Sequence, residues 1–353
     1  MIHRRCTAVH RNTVRSKVIK WFVVACIAGV TILYLFLTGP GIRMVHFAAS
    51  YSDNARLHTV NRFTEAKFVY AINPHHYNLV IAEENKCEQK DAYVFLLVLI
   101  HSKPSHIDLR KKQRMTSLRE TNVRGKRIIV VYLVGNTTNK NLNDRIFNES
   151  HVYRDIIMED FLDTYYNLTN KFMMGMKWAS LYCPQAKYVL KGDDDVYFNL
   201  HNIVQMLSSA PSVNFISGYV HNYAKPYRNE GSKWYIPESV YPYKYYPPFC
   251  VGYAYVMSGD LPRKLFQVAQ HIPFFPLDDV FMGFCARKLN VLPVYKVGFR
   301  RPGWGRLSFC NLNLSYAIHF SDYQQIPKMW SEQQSNLDDK TCSRFIYYLR
   351  SLF

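Results

Sequence analysis

The feature that most limits the possible folds of this chain is an uninterrupted apolar run, Ala92–Ile100. It contains β-branched and aromatic members, and we interpret it as a strand buried on both faces. Strands of this kind are typical of parallel sheets that carry helices on each side. The 263 residues that follow residue 90 suffice for one substantial core.

Helical and strand patterns alternate along the rest of the chain. We predict helices at 110–120, 170–183, 200–209 and 279–289. These segments are charged or carry apolar residues on one face, and their interiors lack helix-breaking residues. Short apolar runs predict further strands at 128–134, 188–190 and 213–217. This alternation indicates an α/β fold with a mostly parallel sheet. Ligands of such sheets bind at the carboxyl ends of the strands.

The N-terminal part of the chain has the pattern of a membrane anchor. Residues 1–20 carry six basic residues and no acid, and residues 21–37 form a run of 17 residues without a charge. A helix of that length spans about 26 Å, enough for a thin bilayer. The basic flank predicts a cytosolic tail at 1–20 and one transmembrane signal-anchor at 21–37, with the remainder luminal. A cleaved signal peptide is the alternative, which the poor cleavage pattern after the run disfavours.

Beyond the anchor we expect a stem at 38–90 and one luminal domain at 91–353. Four N-x-[ST] sequons lie on the predicted luminal side: Asn136, Asn148, Asn167 and Asn313. Six cysteines lie there too: Cys87, Cys183, Cys250, Cys285, Cys310 and Cys342. In an oxidising compartment they allow up to three disulfides, whose pairing the sequence leaves open.

The chain is basic, with a net charge of +18. Six of the basic residues belong to the predicted cytosolic tail, and the luminal part stays positive without them. Nucleic acid is not an expected partner on the luminal side. The charge therefore favours anionic small molecules, acidic glycans or phospholipid headgroups as partners.

Three adjacent carboxylates, Asp193, Asp194 and Asp195, follow the short predicted strand at 188–190. They repel one another, so their full ionisation requires a nearby cation. A hard divalent ion with oxygen ligands supplies one, and such ions also bind substrate phosphates. The alternative is a solvated acidic turn, which the position at a strand end and the apolar residues that follow make less favourable.

The segment around these carboxylates, Tyr188–Tyr197 (YVLKGDDDVY), resembles the signature of the β-1,3-galactosyltransferase family, glycosyltransferase family 31, which also includes β-1,3-N-acetylglucosaminyltransferases. Further motifs follow in that family's order. They are Arg110-x3-Arg114-x-Thr116, Tyr132-Leu133-Val134-Gly135, Tyr153-Arg154-Asp155-Ile156, Asp160-Phe161-Leu162-Asp163-x-Tyr165-x-Asn167-Leu168-Thr169-x-Lys171, Tyr246-Pro247-Pro248-Phe249-Cys250-x-Gly252 and Asp278-Asp279-Val280-Phe281-x-Gly283. Each motif alone is weak, but the ordered set is specific.

The resemblance implies a GT-A-like nucleotide-sugar-binding fold and inverting transfer of a hexose, galactose in the first instance, from a UDP-sugar. Residues 91–353 would then be the glycosyltransferase catalytic domain of a single-pass type II Golgi membrane protein. The implied cofactor is a divalent metal, expected to be Mn²⁺, and the implied partners are the UDP-sugar and a glycan acceptor on protein or lipid. Two alternatives stay open: an N-acetylglucosaminyl or N-acetylgalactosaminyl donor, which Asp278 at the start of the late motif favours, and a glycan-binding pseudoenzyme.

The metal ligands are expected among a few residues. UDP leaves as an anion, and a divalent ion on its diphosphate would stabilise the developing charge. Asp195 is the first expected ligand and Asp193 the second, and the resemblance adds His319. Without the resemblance, a single histidine in an apolar segment is more often a core histidine, and this alternative for His319 stays open.

The donor-binding residues are expected to be Arg110, Arg114, Lys191 and Asp194. Arg110 and Arg114 are one helical turn apart, so both side chains can face the nucleotide. The alternative is a solvated basic face, because Lys111 and Lys112 lie between them. Asp194 is expected to bind ribose or sugar hydroxyls.

Inverting transfer requires one base that deprotonates the acceptor hydroxyl. Asp279 is the first candidate and Asp278 the second, because adjacent carboxylates push their pKa values apart. The alternative for either is a helix N-cap at the start of 279–289. On the acceptor side we expect Tyr253 and Trp304, although Trp304 is also compatible with a core position.

Overall fold

The structure, a computed structural model, describes residues 71–88, 93–300, 312–320, 322 and 324–335. The strands in this part of the chain are β1 (Leu79–Ile81), β2 (Leu96–His101), β3 (Asn122–Val123), β4 (Lys126–Asn136), β5 (Ile156–Leu162), β6 (Tyr188–Asp193), β7 (Val196–Phe198), β8 (Ile216–His221), β9 (Phe249–Ser258), β10 (Val294–Tyr295), β11 (Phe299–Arg300) and β12 (Ala317–His319). The α-helices are α1 (Ile107–Met115), α2 (Lys140–Tyr153), α3 (Leu168–Tyr182), α4 (Leu200–Leu207), α5 (Leu261–Ala269), α6 (Asp278–Lys288) and α7 (Gln325–Gln334).

The main sheet has the strand order β1-β5-β4-β2-β6-β9-β8-β10, and β3 pairs with β4 beside this path. Its central strands β5, β4, β2 and β6 are parallel neighbours, whereas β9 runs antiparallel between β6 and β8. A smaller sheet has the order β11-β12-β7. The predicted α/β fold with a mostly parallel central sheet is confirmed.

Strand β2 lies at the centre of the main sheet and is buried on both faces, as its apolar sequence predicts. Leu97 and Leu99 belong to a core that includes residues of helices α3, α5 and α6. Leu96, Val98 and Ile100 belong to a second core that includes residues of helix α4. Because successive side chains of a strand point to opposite faces, one apolar run supplies both cores.

The predicted helices and strands are present, with shifted ends. The helix predicted at 110–120 is α1, which ends at Met115. The chain turns there because Leu118 is buried in the second core and the β3–β4 hairpin follows. Arg124 and Gly125 close this hairpin with φ values of 54° and 72°, a left-handed conformation that suits glycine at the second position.

Residues 71–88, which the sequence analysis assigned to the stem, are packed onto the folded domain, and we call them the N-terminal strap. Strand β1 of the strap pairs antiparallel with β5, and Cys87 forms a disulfide with Cys183 after helix α3. The Trp178 indole donates a hydrogen bond to the carbonyl of Ala82. The domain therefore begins before residue 91. A strand of three residues carries too little periodicity to be recognised in the sequence.

The predicted membrane anchor at 21–37 lies outside the described residues, as do the tail at 1–20 and the stem up to residue 70. Among the residues that are described, no helix is long and apolar enough to cross a membrane. The disulfide expectation is met in part, since the described residues contain one disulfide, Cys87–Cys183. Cys250 and Cys285 are buried free thiols, and Cys310 and Cys342 fall in segments that are not described.

Candidate active site

The candidate site lies at the carboxyl edge of the central parallel strands, where α/β sheets bind ligands. Strands β2 and β6 end side by side at His101 and Asp193, which are paired in register. Because β9 runs in the opposite direction, its first residues, including Gly252, lie at the same edge. Helix α6 begins beside them, and Asp279 accepts a hydrogen bond of 3.2 Å from the Gly252 N–H. The predicted metal cluster and the predicted base therefore share one edge of the sheet.

Asp193 is held by the lysine two residues before it. Nζ of Lys191 lies 2.8 Å from Oδ1 of Asp193. The same ammonium lies 2.5 Å from the carbonyl oxygen of Gly252 and 3.2 Å from Oδ2 of Asp278. Lys191 thus makes two hydrogen bonds and one ion pair within the protein, and its side chain is 2 % exposed. These contacts do not support the predicted donor-binding role of Lys191, and they tie β6, β9 and α6 together.

The electrostatics of this group favour a charged lysine and a weakly acidic Asp193. Burial lowers the pKa of Lys191, but the carboxylates of Asp193 and Asp278 outweigh this effect and raise it. Burial also raises the pKa of Asp193, to about 6, with Lys191 acting against the rise and Asp195 adding to it. Asp193 is thus committed to an internal ion pair.

The Asp194 side chain contacts the loop that follows β2. Its Oδ2 accepts hydrogen bonds from the Ser102 hydroxyl at 2.6 Å and lies 2.9 Å from Nδ1 of His106. The Asp194 side chain is 8 % exposed. It therefore holds residues 102–106 against the carboxylate cluster. The predicted contact of Asp194 with ribose or sugar hydroxyls of the donor stays a prediction, and in this structure the Asp194 carboxylate binds the Ser102 hydroxyl.

Asp195 and His319 come together from distant parts of the chain. Strand β12 pairs antiparallel with β7, which places His319 opposite Val196. Nε2 of His319 then lies 3.3 Å from Oδ2 of Asp195, and the two side chains are 31 % and 39 % exposed. Burial lowers the pKa of His319, but the hydrogen bond and charge of Asp195 outweigh it and raise the pKa. The family resemblance implied that His319 lies beside the metal ligands, and in the structure it lies beside Asp195.

The chemistry of this pair fits a divalent cation. Oδ1 of Asp195 is buried and has no hydrogen-bond partner among the described residues, which leaves a carboxylate oxygen available to an ion. An imidazole nitrogen and carboxylate oxygens are ligands that Mn²⁺ accepts. Among the described residues no group of three or more His, Cys, Asp or Glu side chains forms a complete metal site. Asp195 and His319 are the two side chains at this position that could hold such an ion.

Asp278 and Asp279 are the first two residues of helix α6. The N-cap position is Leu277, which makes no side-chain cap, so the alternative in which either aspartate is the N-cap is wrong. Oδ1 of Asp279 accepts a hydrogen bond of 2.8 Å from the Val280 N–H. Burial raises the pKa of Asp279 to about 7, with the charge of Asp278 adding to the rise. Asp278 is instead paired with Lys191. Of the two carboxylates, Asp279 is thus the one suited to exchange a proton near neutral pH.

The two predicted donor-binding arginines are core residues. Arg110 is fully buried and binds Glu149 in a bidentate manner, at 2.8 and 2.6 Å. Its remaining N–H groups donate to Ser102 and to the carbonyls of Lys103 and Pro104. The expectation that Arg110 faces the nucleotide is therefore wrong. Arg110 instead braces Ser102, which hydrogen-bonds to Asp194.

Arg114 is committed in a similar way. It binds Asp155 through two hydrogen bonds of 2.8 Å and Glu149 through one of 2.7 Å. Its guanidinium also lies over the rings of Tyr132 and Tyr153, 4.7 and 4.1 Å from their centroids. These contacts do not support the predicted nucleotide contact. The two arginines of the Arg-x3-Arg motif instead form three internal ion pairs, which fasten α1 to α2 and to the segment before β5.

Of the two residues predicted on the acceptor side, Tyr253 lies in the described part of the chain. Tyr253 is 4 % exposed and stacks on His319, with ring centroids 5.5 Å apart and an interplanar angle of 9°. It positions the histidine and does not face solvent, so its predicted contact with an acceptor is wrong. Trp304 lies outside the described residues.

The four sequon asparagines all lie in the described part. Asn148 is exposed on helix α2, whereas Asn136, Asn167 and Asn313 are partly buried. Asn167 uses its amide N–H₂ for a 2.8 Å hydrogen bond to the carbonyl of Leu162. Glycosylation at these positions stays a prediction, with Asn148 the most accessible.

Several residues of the site were missed by the sequence analysis. His101 is buried with Nδ1 3.7 Å from Oδ2 of Asp278, and burial together with Lys191 and Lys171 holds its pKa well below the usual value. Lys171 donates to the carbonyl of Ser102 at 2.6 Å and pairs with Asp163 at 2.8 Å. The Asp163 and Lys171 positions stood in a recognised motif, but their spacing alone did not reveal that they support the loop after β2.

The arrangement offers two chemical functions at one edge. The Asp195–His319 pair can hold a cation that binds a polyanionic group. Asp279 can accept a proton from a nucleophile, because its pKa of about 7 keeps a large fraction ionised near neutral pH. The geometry therefore suits transfer of a group away from an anionic leaving group to a hydroxyl.

Comparison with known proteins identifies the family. The family model described as Galactosyltransferase matches residues 108–296. The chain is 36% identical to the Homo sapiens protein named beta-1,3-galactosyltransferase 1 over 268 residues, 75% of this chain and 81% of that protein. It is 39% identical to the Mus musculus beta-1,3-galactosyltransferase 2 over 272 residues, 75% of this chain and 64% of the longer relative.

A solved structure, the apo form of the WbbM bifunctional glycosyltransferase, is similar with a TM-score of 0.37 and 12% identity, over 69% of this chain and 52% of that chain. The family assignment rests on the family model and on the sequence relatives. The chain belongs to the galactosyltransferase family and is a glycosyltransferase.

Proposed function

We propose that the protein is an inverting, metal-dependent β-1,3-galactosyltransferase with a GT-A-like fold, which moves galactose from UDP-galactose to a glycan acceptor on a protein or lipid. The observation that carries this proposal is the presence of Asp279, a carboxylate with a pKa of about 7, at the same sheet edge as the Asp195–His319 pair. The names of the relatives support galactose as the sugar and β-1,3 as the linkage.

The proposed reaction is a single displacement. The acceptor hydroxyl attacks the anomeric carbon of galactose, and Asp279 takes its proton. A C–O bond forms on one face of the sugar as the bond to the UDP oxygen breaks on the other, and the bonding electrons leave with UDP. The product has the inverted anomeric configuration, and UDP departs as an anion.

Different residues of the site would bind the metal and hold the base in position. Asp195 and His319 would hold a divalent metal, which when bound neutralises the charge on the departing diphosphate. Tyr253 stacks on His319 and fixes its ring. The Gly252 and Val280 N–H groups orient the Asp279 carboxylate. Lys191 compensates the charge of Asp278, and so limits the repulsion on its neighbour.

We propose a UDP-N-acetylhexosamine as the alternative donor, because of the residue at position 278. The first residue of the late motif is Asp278, where galactosyltransferases of this family often have Glu, and the variant resembles N-acetylglucosaminyltransferases. Asp278 is paired with Lys191 at 3.2 Å, close to the base. Aspartate is one methylene shorter than glutamate, so this variant changes the space beside Asp279. N-acetylglucosamine or N-acetylgalactosamine is therefore the alternative donor sugar.

We also propose a Golgi location with a type II topology. Three features support it: the anchor pattern at 21–37, the four sequons, and the Cys87–Cys183 disulfide, which is typical of oxidising compartments. Removal of N-glycans should lower the apparent mass of the protein. A soluble chain that begins near residue 40 and carries no glycan would contradict this topology.

The decisive experiment is a donor screen with the full chain in detergent. UDP-galactose, UDP-N-acetylglucosamine and UDP-N-acetylgalactosamine are offered with β-linked sugar acceptors in the presence of Mn²⁺, and the product linkage is read by NMR. We expect galactose transfer in β-1,3 linkage. The Asp279→Asn variant serves as the matched inactive control. Transfer of another sugar would support the second donor, and no transfer from any of the three would contradict the proposal.

A further inference from the structure

His101 is a buried histidine at the carboxyl edge of the sheet that has no role in the reaction proposed above. It is the last residue of β2 and lies in register with Leu133 of β4 and Asp193 of β6. Its side chain is 4 % exposed, and its Nδ1 lies 3.7 Å from Oδ2 of Asp278. Neither of these two atoms has a hydrogen bond of good geometry in the described structure. Most buried polar atoms have a hydrogen-bond partner, so this pair is an exception beside the proposed base.

The start of helix α6 is held to the sheet by long contacts from three strands. The Gly252 N–H of β9 donates to Asp279 at 3.2 Å. Nζ of Lys191 in β6 lies 3.2 Å from Oδ2 of Asp278, and His101 of β2 provides the third contact, at 3.7 Å. Hydrogen bonds that involve a charged group are typically about 2.7–2.9 Å long. The three contacts therefore leave room for the start of α6 to move closer to the sheet edge.

The imidazole of His101 is suited to donate from Nδ1 to a carboxylate. Burial, with the charges of Lys191 and Lys171 adding to its effect, holds the pKa of His101 well below the usual value, so the ring is neutral near pH 7. Lys171 is close in the fold, since it donates to the carbonyl of Ser102, the next residue in the chain. A neutral imidazole carries a proton on one nitrogen, and its hydrogen-bond partner selects which one. The Asp278 carboxylate beside Nδ1 favours the proton there.

We propose that His101 is a positioning residue for the base, whose Nδ1–H donates a hydrogen bond to Asp278 when the site is filled. This inference rests on the proposed function, in which Asp279 is the base, and adds a residue to it. Asp278 and Asp279 are adjacent in the first turn of α6, so a hydrogen bond to one fixes the other through the backbone. Catalytic hydrogen bonds are often long in an empty site and shorten in the substrate complex. A displacement of about 1 Å costs on the order of 10²-fold in rate.

The alternative is that His101 only fills space beside Asp278. Its replacement would then lower the activity by the same factor whether or not residue 278 carries a carboxylate. A role that acts through Asp278 predicts a different result, because substitution of either residue removes the same hydrogen bond and the two effects are not additive. A double-mutant cycle on the rate therefore separates the two alternatives.

The first experiment measures kcat, at saturating donor and acceptor, for His101→Leu, Asp278→Ala and the double variant of the full chain in detergent. We expect His101→Leu to lower kcat by about 10- to 100-fold, as does the loss of other groups that orient a functional side chain. UDP affinity should be retained, because His101 has no contact with Asp195 or His319 in the described structure. The double variant should have the kcat of Asp278→Ala alone. His101→Asn, whose amide nitrogen takes about the place of Nδ1, should keep most of the kcat.

His201→Leu is the matched control, because it removes another histidine that pairs with a carboxylate, that of Glu120, at 3.1 Å. Within the described residues, neither member of this pair contacts the residues assigned to the metal and the base, so kcat should equal that of the wild type. The melting temperature of each variant is measured to check its folding. A normal kcat in His101→Leu, or the same fold loss from this substitution with and without the Asp278 carboxylate, would overturn the inference.

A second measurement does not depend on turnover. Nitrogen-15 NMR of the histidine rings, in the full chain with UDP and diamagnetic Mg²⁺, reads which ring nitrogen of His101 carries the proton, and the signals missing in His101→Leu assign it. We expect the proton on Nδ1, with a signal that shifts in Asp278→Ala. A proton on Nε2, or an Nδ1 signal that is the same in Asp278→Ala, refutes the hydrogen bond. If the wild type transfers no sugar, the proposed function fails, and this measurement alone decides whether His101 binds Asp278.

Discussion

Nζ of Lys191 lies 3.2 Å from Oδ2 of Asp278, although the two residues belong to a strand and a helix 87 positions apart. The same ammonium binds Asp193 at 2.8 Å. One buried cation thus compensates a carboxylate from the metal cluster and a carboxylate beside the base. The relative placement of the two halves of the site depends on this lysine.

The first prediction follows from that contact. Lys191→Met keeps the length of the side chain and removes its charge, which leaves two carboxylates without their partner. Removal of one member of a buried pair costs about 3–5 kcal/mol, and we expect a loss of that order in the free energy of unfolding, measured in urea at pH 7.5. Lys111→Met, on the exposed face of α1, is the control. A stability equal to that of the wild type would show that the lysine is dispensable.

The second prediction concerns the metal. Asp195→Asn removes an anionic oxygen from the pair with His319 while it keeps the size of the side chain. Loss of a group that merely orients a metal ligand costs about 10- to 100-fold in affinity, so we expect Mn²⁺-dependent UDP binding to fall by at least about tenfold. Calorimetry with and without EDTA measures it. Asp144→Asn, an exposed carboxylate on α2, should bind like the wild type, and equal binding by Asp195→Asn would exclude Asp195 as a ligand.

The third prediction concerns the base. A general base contributes about 10²- to 10⁴-fold to the rate, so Asp279→Asn should lower kcat by that amount. UDP affinity should be retained, because Asp279 has no contact with Asp195 or His319 in the described structure. Asp278→Asn serves for comparison and should lower kcat less. A normal kcat in Asp279→Asn would remove the residue from the mechanism.

The fourth prediction gives the pH dependence. The base must be ionised to act, so kcat/KM should rise with pH and level off above the Asp279 pKa of about 7. Neighbouring Asp278 raises this pKa and Lys191 lowers it, so Asp278→Asn should move the profile to lower pH. A flat profile between pH 5.5 and 8 would contradict the assignment.

The same ionisation should lower the stability of the fold as pH rises, whereas it raises kcat/KM. The folded pKa of Asp279 lies above its unfolded value of about 4, so its contribution to stability is present at low pH and is lost as pH rises through about 7. Asp279→Asn cannot ionise. Its melting temperature relative to the wild type should therefore increase from pH 5 to pH 8. Differential scanning fluorimetry at the two pH values tests this point.

The fifth prediction concerns the N-terminal strap. The Cys87–Cys183 disulfide closes a loop with a sequence separation of 96 residues. Removal of such a crosslink costs about 2–5 kcal/mol, which we expect for the Cys87→Ser, Cys183→Ser double variant in urea unfolding. Dithiothreitol should lower the free energy of unfolding of the wild type to that of the double variant. It should leave the free energy of unfolding of the double variant unchanged. A double variant as stable as the oxidised wild type would mean that the strap is held without its disulfide.

The sequence by itself determined the sheet and the family. The apolar run of β2 could only be buried on both faces, and the ordered motifs were sufficient to identify the galactosyltransferase family. Residues that are close in the sequence, such as Asp193 and Asp195, or Asp278 and Asp279, could be recognised as groups. The chain itself holds them near one another, whatever the fold. The carboxyl edge of the sheet followed from the strand pattern.

The tertiary structure decided which charged side chains are free to act. Arg110, Arg114 and Lys191 carry charges that suit a diphosphate, and the sequence assigned them to the donor. In the fold each meets buried carboxylates from another element, and a buried charge without such a partner would be costly. Tyr253 is likewise turned inward against His319. Local sequence shows the type of a side chain, but which partners compete for it depends on contacts between residues far apart in the chain, and these exist only after the chain has folded.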